Sequence, residues 1–292
     1  MGRAIKPSGG GRQSAPAMGV QMAKMKKDAL KSGQIPLDVG LMQDTLVMPT
    51  GKNLPSWTRD WRARMRLERR RLRLRAVEYF SVMIYKYWMV KPRPDLALFR
   101  ISSLARDLHR DTYSHFASGN LQPMESKLCE SFLASLRRRI SQRAPNTGLK
   151  WTVHKYLSKP KCMSYKAAYY PPQKGELKTE RNGILQAVVR LHSLQSLQHF
   201  KKITVRDGHQ KLVVKEVATD AQGNEVLEVA EGVVPKDAKE SVEYLVVQKS
   251  LRMGKESPWM VWGTTEETKV KDLRKDKRSM RQMFRGDTRS VA

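Results

Sequence analysis

The chain has 292 residues, with 56 Lys or Arg against 28 Asp or Glu, a formal charge of +28. A surface so basic repels itself and points to a polyanion (RNA, DNA or an anionic membrane) rather than a small neutral substrate. Two cysteines without a C-x-x-C pair, and no apolar run of about 18 residues, argue against a zinc ribbon, a disulfide scaffold and a membrane-spanning segment.

Residues 1–27 contain no acid but include Arg3, Lys6, Arg12, Lys24, Lys26 and Lys27, the composition of an organellar targeting segment or of a disordered basic tail. Residues 1–52 as a whole, rich in Gly, Pro, Ser and Met and without a sustained period, are expected to form an extended arm. Order is expected from Asn53, with Ser56 as an N-cap and Asp60 in the first helical turn.

The long helix that follows carries the strongest signal. Nine of the seventeen residues from Arg59 to Arg75 are arginine: Arg59, Arg62, Arg64, Arg66, Arg69, Arg70, Arg71, Arg73 and Arg75. Guanidinium groups pair bidentately with phosphate and stack on bases, so this density favours a nucleic-acid backbone. The alternative is a solvated helix face, but such faces mix signs at i, i+4, and here only Asp60 and Glu68 oppose the run. The helix continues through the aromatic stretch Val77–Val90 and is expected to stop before Pro92 and Pro94, about 50 Å of rod. Trp61, Met65, Leu72, Ala76, Tyr79, Met83 and Tyr87 trace one face of it, and Arg62, Arg66, Arg69 and Arg73 trace another. For Val77–Val90 the expectation is burial against a sheet, with an interfacial membrane or partner surface as the alternative.

Two shorter helices are expected over Leu96–Phe116, ending at Gly119, and over Met124–Arg143, whose last turns hold Arg137, Arg138, Arg139 and Arg143. Seven β-branched and aromatic segments then read as strands: Leu149–Leu157, Met163–Tyr170, Ile184–Phe200, Lys211–Thr219, Glu225–Ala230, Val242–Leu251 and Trp259–Thr264. Within the third, Val189 and Leu191 share a face opposite Arg190 and His192, and Asp207-Gly208 signals a hairpin. Helices followed by antiparallel strands give an α+β domain over 53–265. A basic tail over 266–292 completes the chain.

The six histidines offer no metal or catalytic set: His109 and His115 fall on different sides of a helix, and His192 and His199 on opposite faces of a strand. No H-E-x-x-H, G-x-S-x-G, Walker A or dinucleotide-binding glycine pattern is present, so no catalytic residue, cofactor or metal is expected and the chain does not read as an enzyme.

Three motifs are more specific than composition. They are Val188-Val189-Arg190-Leu191-His192-Ser193-Leu194-Gln195-Ser196-Leu197, then Val234-Pro235-Lys236-Asp237 leading into Val242-Glu243-Tyr244-Leu245-Val246-Val247-Gln248-Lys249-Ser250-Leu251, and last Pro258-Trp259-Met260-Val261-Trp262-Gly263-Thr264. In this order and spacing the chain resembles the mitochondrial large-subunit ribosomal proteins related to the C-terminal domain of the inner-membrane import-motor scaffold. The resemblance covers about residues 54–265 and is most specific over 184–264. The arginine-rich helix and the insertion near Asp220–Asn224 are not parts of its motif.

The resemblance implies a nuclear-transport-factor-like cone, with N-terminal helices packed on a strongly bent antiparallel sheet and extended basic termini. It implies a matrix protein peripheral to the inner membrane, near the polypeptide exit of the mitochondrial large ribosomal subunit. The partners so implied are large-subunit rRNA, neighbouring ribosomal proteins, and the inner membrane or its insertase, with no small-molecule substrate. Arg59–Arg75 and Arg137–Arg143 are the candidate rRNA contacts. The alternative is a matrix-side import or membrane scaffold that binds anionic lipid and chaperones; arginine density favours the first. A third reading, a pocket enzyme of the same fold, needs an acid–base pair inside the cone, and the sequence identifies none.

Overall fold

The computed structural model describes residues 40–42, 45–89, 94–144, 147–170, 182–206, 212–219, 235, 238–252 and 255–268. Among them a 25-residue strand, β3 (Asn182–Arg206), organises the rest. It is joined in one antiparallel sheet by β1 (Thr147–Tyr156), β2 (Lys161–Tyr170), β4 (Leu212–Thr219), β5 (Lys239–Arg252), β6 (Lys255–Glu256) and β7 (Met260–Thr265). One edge of β3 pairs with β2 and then β1, the other with β5 and then β4, so that Ala187 lies opposite both Tyr165 and Val247. β7 and the short β6 add to the far side of β5. Register shifts at Val153/Lys155, Cys162/Ser164 and Val246/Val247 mark bulges, which increase local twist.

Three helices cover one face: α1 (Trp61–Ile84), which runs on into a π turn at Tyr85–Met89, α2 (Ile101–Ser118) and α3 (Glu130–Ser141). Leu185, Ala187, Val189 and Leu191 of β3, with Leu245, Val247 and Val261, meet Val82, Tyr85, Ile101, Ala105, Leu108 and Leu136 in the main core. The chain is thus α+β, and Val189 and Leu191 do share the core face. α2 ends as expected at Gly119, whose φ of 81° is the left-handed cap that glycine adopts without a Cβ penalty. The β3–β4 hairpin pairs Arg206 with Leu212, while Asp207-Gly208 and the expected strand Glu225–Ala230 lie outside the described residues.

α1 departs from expectation at its start. Ser56 does not cap it: its hydroxyl accepts the Thr58 N–H at 3.3 Å inside a preceding turn, and the helix begins at Trp61. Its 24 residues make about 36 Å of rod rather than 50. The expected helix over Met124–Arg143 is also shorter: Gln122–Lys127 form a separate 3-10 turn, and Leu128, extended and bridged to Val261, breaks the run before α3 begins at Glu130.

The N-terminal arm, expected to be extended, supplies the cover of the opposite face of the sheet: residues 40–42 and 45–50 form a strap across it. Leu41 and Val47 are fully buried with Val188, Tyr244 and Val246, and Met163 and Trp262 pack beside them. Gln186, pointing to this face from β3, accepts the Met42 N–H at 2.8 Å and donates to the Gly40 carbonyl at 2.7 Å. Val47 and Thr268 exchange two bonds, 3.1 and 3.0 Å. The ordered domain therefore includes residues on both sides of the expected 53–265 limits.

Glu267 locks the strap. It accepts from the Thr50 N–H (3.1 Å) and hydroxyl (2.5 Å), the Asn53 amide (3.1 Å) and the Tyr244 hydroxyl (2.8 Å). Burial would raise its carboxyl, but these donors outweigh it and hold Glu267 below the ordinary value. Burial and the same carboxylate push the Tyr244 hydroxyl up to about 12, so it remains a donor. Because the native pKa of Glu267 is depressed, its contribution is complete above the ordinary value of 4.5 and is lost as the pH falls through the native one. Glu267→Ala is expected to cost about 1–3 kcal/mol in urea unfolding at neutral pH. Glu267→Gln should flatten the acid limb of the pH–stability curve. An unchanged midpoint and an unchanged acid limb would show that Glu267 does not hold the strap.

Candidate nucleic-acid interface

α1 holds no Gly or Pro and is rich in Arg, Leu, Met and Glu, good helix formers. It packs on β2, where Leu74 and Glu78 lie beside Met163 and Val82 joins the main core, followed by Tyr85 of the π turn; Leu67 is the other buried residue of α1. Tyr85 seats against Gly183 of β3, where an added Cβ would come within 2.8 Å of two ring carbons and the hydroxyl oxygen; a side chain there would displace the π turn that follows α1.

The apolar face traced in the sequence is not the one that packs on the sheet. Trp61, Leu72, Tyr79 and Tyr87 of that set are exposed, Leu72 by 66%. So are Val77, Phe80, Ile84 and Trp88 of the aromatic stretch, which was expected to pack in the core. The second half of α1 is apolar nearly all round, so hydrophobicity alone leaves its rotation undetermined. Polar partners fix it. Glu78 faces β2, accepts the Ser164 hydroxyl at 2.5 Å and lies 4.0 Å from the Lys166 ammonium. Burial raises its carboxyl despite those partners and Arg75. Beside it, burial and the Glu78 charge push the Cys162 thiol up to about 12, so it is an unreactive core thiol.

This rotation sorts the arginines. Glu68 pairs with Arg64 and Arg71, both at 3.1 Å, and Arg64 also lies 5.2 Å from the Trp57 ring centroid. Arg70 is half-buried; Arg59, ahead of the helix, and Arg75 are exposed. Arg62, Arg66, Arg69 and Arg73 form one exposed row at i, i+3 and i, i+4 steps, with neighbours about 5–6 Å apart. Arg66 Nε reaches back to the Arg62 carbonyl at 3.2 Å, and Arg62 lies 5.6 Å from the Trp61 ring centroid. The row is a cationic ladder of about 16 Å.

The second cluster stands apart. α3 packs against β7, whereas α1 packs against β2, at the opposite edge and three strand spacings (~14 Å) away. Within it Arg137 pairs with Glu125, while Arg138 and Arg139 are exposed. Arg143 is committed to its own chain. Its guanidinium donates to the Ala117 and Phe116 carbonyls at 2.9 and 2.6 Å and covers the Phe116 ring at 4.5 Å, closing the C-terminus of α2. Burial lowers its pKa.

Sequence reasoning missed one pair: His109 of α2 has no exposed surface, and its Nε2 lies 2.5 Å from Oε2 of the partly exposed Glu243 on β5, with Tyr113 tilted against the ring and Trp151 edge-on to it. The signal was present: Glu243 shares the β5 face of Leu245 and Val247, and an acid in that register needs a partner. Among the described residues no group of three His, Cys, Asp or Glu is placed to hold a metal, and no helix is long and apolar enough to cross a membrane.

Comparison with known proteins places this architecture. The model of the MBA1-like protein family matches residues 26–227, more than half of the chain, from ahead of the strap to beyond β4. The chain belongs to the MBA1-like family. That family is linked with the mitochondrial ribosome and the inner membrane, and membership implies a mitochondrial location. The match includes the strap and the arginine-rich helix, which lay outside the motifs read in the sequence. An uncharacterized protein of Schizosaccharomyces pombe is 27% identical over 209 residues, covering 68% of this chain and 62% of that protein. The chain thus spans less than two thirds of that relative's length.

Because Arg143 caps α2, Arg143→Ala is expected to lower stability by about 1.5–3 kcal/mol. It should leave affinity for a large-subunit rRNA transcript, and its salt slope, unchanged. Full stability combined with weakened RNA binding in filter assays would move Arg143 into the interface.

Proposed function

We propose that the protein is a non-catalytic component of the mitochondrial large ribosomal subunit, bound to rRNA near the polypeptide exit and holding the ribosome at the inner membrane. The observation that carries this reading is the exposed ladder Arg62, Arg66, Arg69 and Arg73 on a helix already anchored to the sheet by its other face. Four like charges in a row are self-repelling in water and gain by releasing counterions from phosphates. Arg59 and Arg75 extend the ladder, and Arg138 and Arg139 form a second contact at the other edge of the sheet. The contacts are to backbone phosphate, so affinity is steeply salt-dependent and carries little sequence preference. A sheet closed into a cone around α2 belongs to the same reading; the three bulges supply the bending.

The His109–Glu243 pair does not favour an enzyme, because the His109 ring reaches no surface. The import-scaffold alternative shares the fold and replaces rRNA by anionic lipid and chaperones. Arginine over lysine along the ladder favours the forked recognition of RNA phosphates.

Replacement of Arg62, Arg66, Arg69 and Arg73 by Glu is expected to release the protein from the large subunit in sucrose gradients at moderate salt, with the circular dichroism of the domain unchanged. For a purified rRNA fragment the slope of log K against log salt should fall by roughly three to four. Undiminished co-sedimentation at physiological salt would overturn the ladder's role. Absence of the unmodified protein from ribosomal fractions at both low and high salt would favour the import-scaffold reading.

A further inference from the structure

The outward stripe of α1 changes chemistry halfway along. The series 62, 66, 69, 73 that carries the arginines continues at 80, 84 and 87 as Phe80, Ile84 and Tyr87, all exposed, with Val77, Tyr79 and Trp88 exposed beside them. Trp88 exposes 76% of its surface. A second element adds to the same end of the sheet. In the turn before α2, Leu98 is exposed and Phe99 is completely so, at 101%.

Buried neighbours locate both elements. Tyr85 lies on Gly183, which pairs with Leu251. The Leu96 carbonyl accepts the Tyr165 hydroxyl at 2.6 Å, and the Asp95 N–H bonds Glu256, itself opposite Leu251. Lys86 and Arg100 flank these aromatics, Lys86 lying 5.8 Å from the Tyr87 ring centroid. Each carboxylate named at this end has a cation beside it, Asp95 with Arg100 at 4.0 Å and Glu256 with Lys249.

Exposed Trp, Tyr and Phe beside Lys and Arg, with the acids paired off, have one fitting environment. The aromatic rings suit the boundary between headgroups and acyl chains, and the cations suit an anionic lipid surface. We infer that this end of the domain, built by Phe80, Ile84, Tyr87, Trp88 and Phe99, is a lipid-docking surface for an anionic bilayer. The inference rests on the reading above for the identity of the membrane, and it assigns the contact to residues distinct from the arginine ladder.

The test is flotation of the full chain with phosphatidylcholine vesicles with and without cardiolipin. A variant carrying Phe80→Ser, Tyr87→Ser, Trp88→Ser and Phe99→Ser removes only exposed rings, and circular dichroism checks its fold. The unmodified chain is expected to float with cardiolipin vesicles, and the variant to bind them about tenfold more weakly or worse while still binding rRNA. In a second measurement, the Trp88 emission, taken as the difference from Trp88→Phe, should shift to the blue on vesicle addition.

Equal flotation of the variant and the unmodified chain, or no shift of the Trp88 emission, would overturn the inference. Loss of rRNA binding with flotation retained would overturn it too, by assigning the rings to base stacking. A four-serine variant that floats normally while the four-glutamate ladder variant does not would make the ladder the lipid contact, again overturning it. Failure of the ladder variant to lose ribosomes would count against rRNA anchoring and leave the lipid result standing.

Discussion

β3 is hydrogen-bonded along both edges over residues 183–190, and every residue from Asn182 to Val189 is buried. A strand buried on both faces and both edges cannot be the surface of anything, so each face of the sheet needs its own cover. The helices supply one. The other comes from the strap, a segment with no regular structure that needs fixed hydrogen-bond partners. Gln186 on β3 and Glu267 beyond β7 provide them, and through them the first and last described segments hold each other in place.

The same constraint sets the arrangement of α1. The helix packs against β2 rather than across the middle of the sheet, so only a narrow stripe of it meets the core. Leu67 and Val82 are its only fully buried residues, and Glu78 adds a polar latch onto Ser164 and Lys166. Removing Ser164 or Lys166 would leave a buried carboxylate short of donors, a larger loss than removing any single exposed arginine. Fixing that stripe leaves most of the helix circumference for binding.

The parts of the fold that follow from a period were legible in the sequence. Strand alternation placed Val189 and Leu191 together, and Gly119 marked the end of α2. The rotation of α1 was not legible, because Val77–Trp88 offers an apolar residue in almost every direction and a glutamate, Glu78, is what points inward. The strap was invisible for the opposite reason. Leu41, Val47 and their neighbours have no period to detect, and their burial follows from the two-sided burial of β3 rather than from their own pattern. Among the arginines, the helical period already set Arg62, Arg66, Arg69 and Arg73 on one face, but it did not show that Arg64 and Arg71 grip Glu68. Nor could it separate Arg143, which caps α2, from Arg138 and Arg139.

The lengthwise division of α1 has a consequence for how two anionic partners share one helix. Arginines interleaved with aromatics along a single stripe would give an amphipathic helix in which lipid and RNA compete for the same charges. On the proposed reading, the ladder ends at Arg73 and the aromatic surface begins at Phe80, seven residues or about 10 Å further along, so the two contacts are adjacent without sharing residues. That gap is about one Debye length at physiological ionic strength, so the division between them is one of position along the helix and not of screening. Glu78 sits between the two halves, so a pull at either end is taken up by the sheet. On that reading the helix would act as a spacer, and its length, more than any single side chain, would set the distance between the two partners.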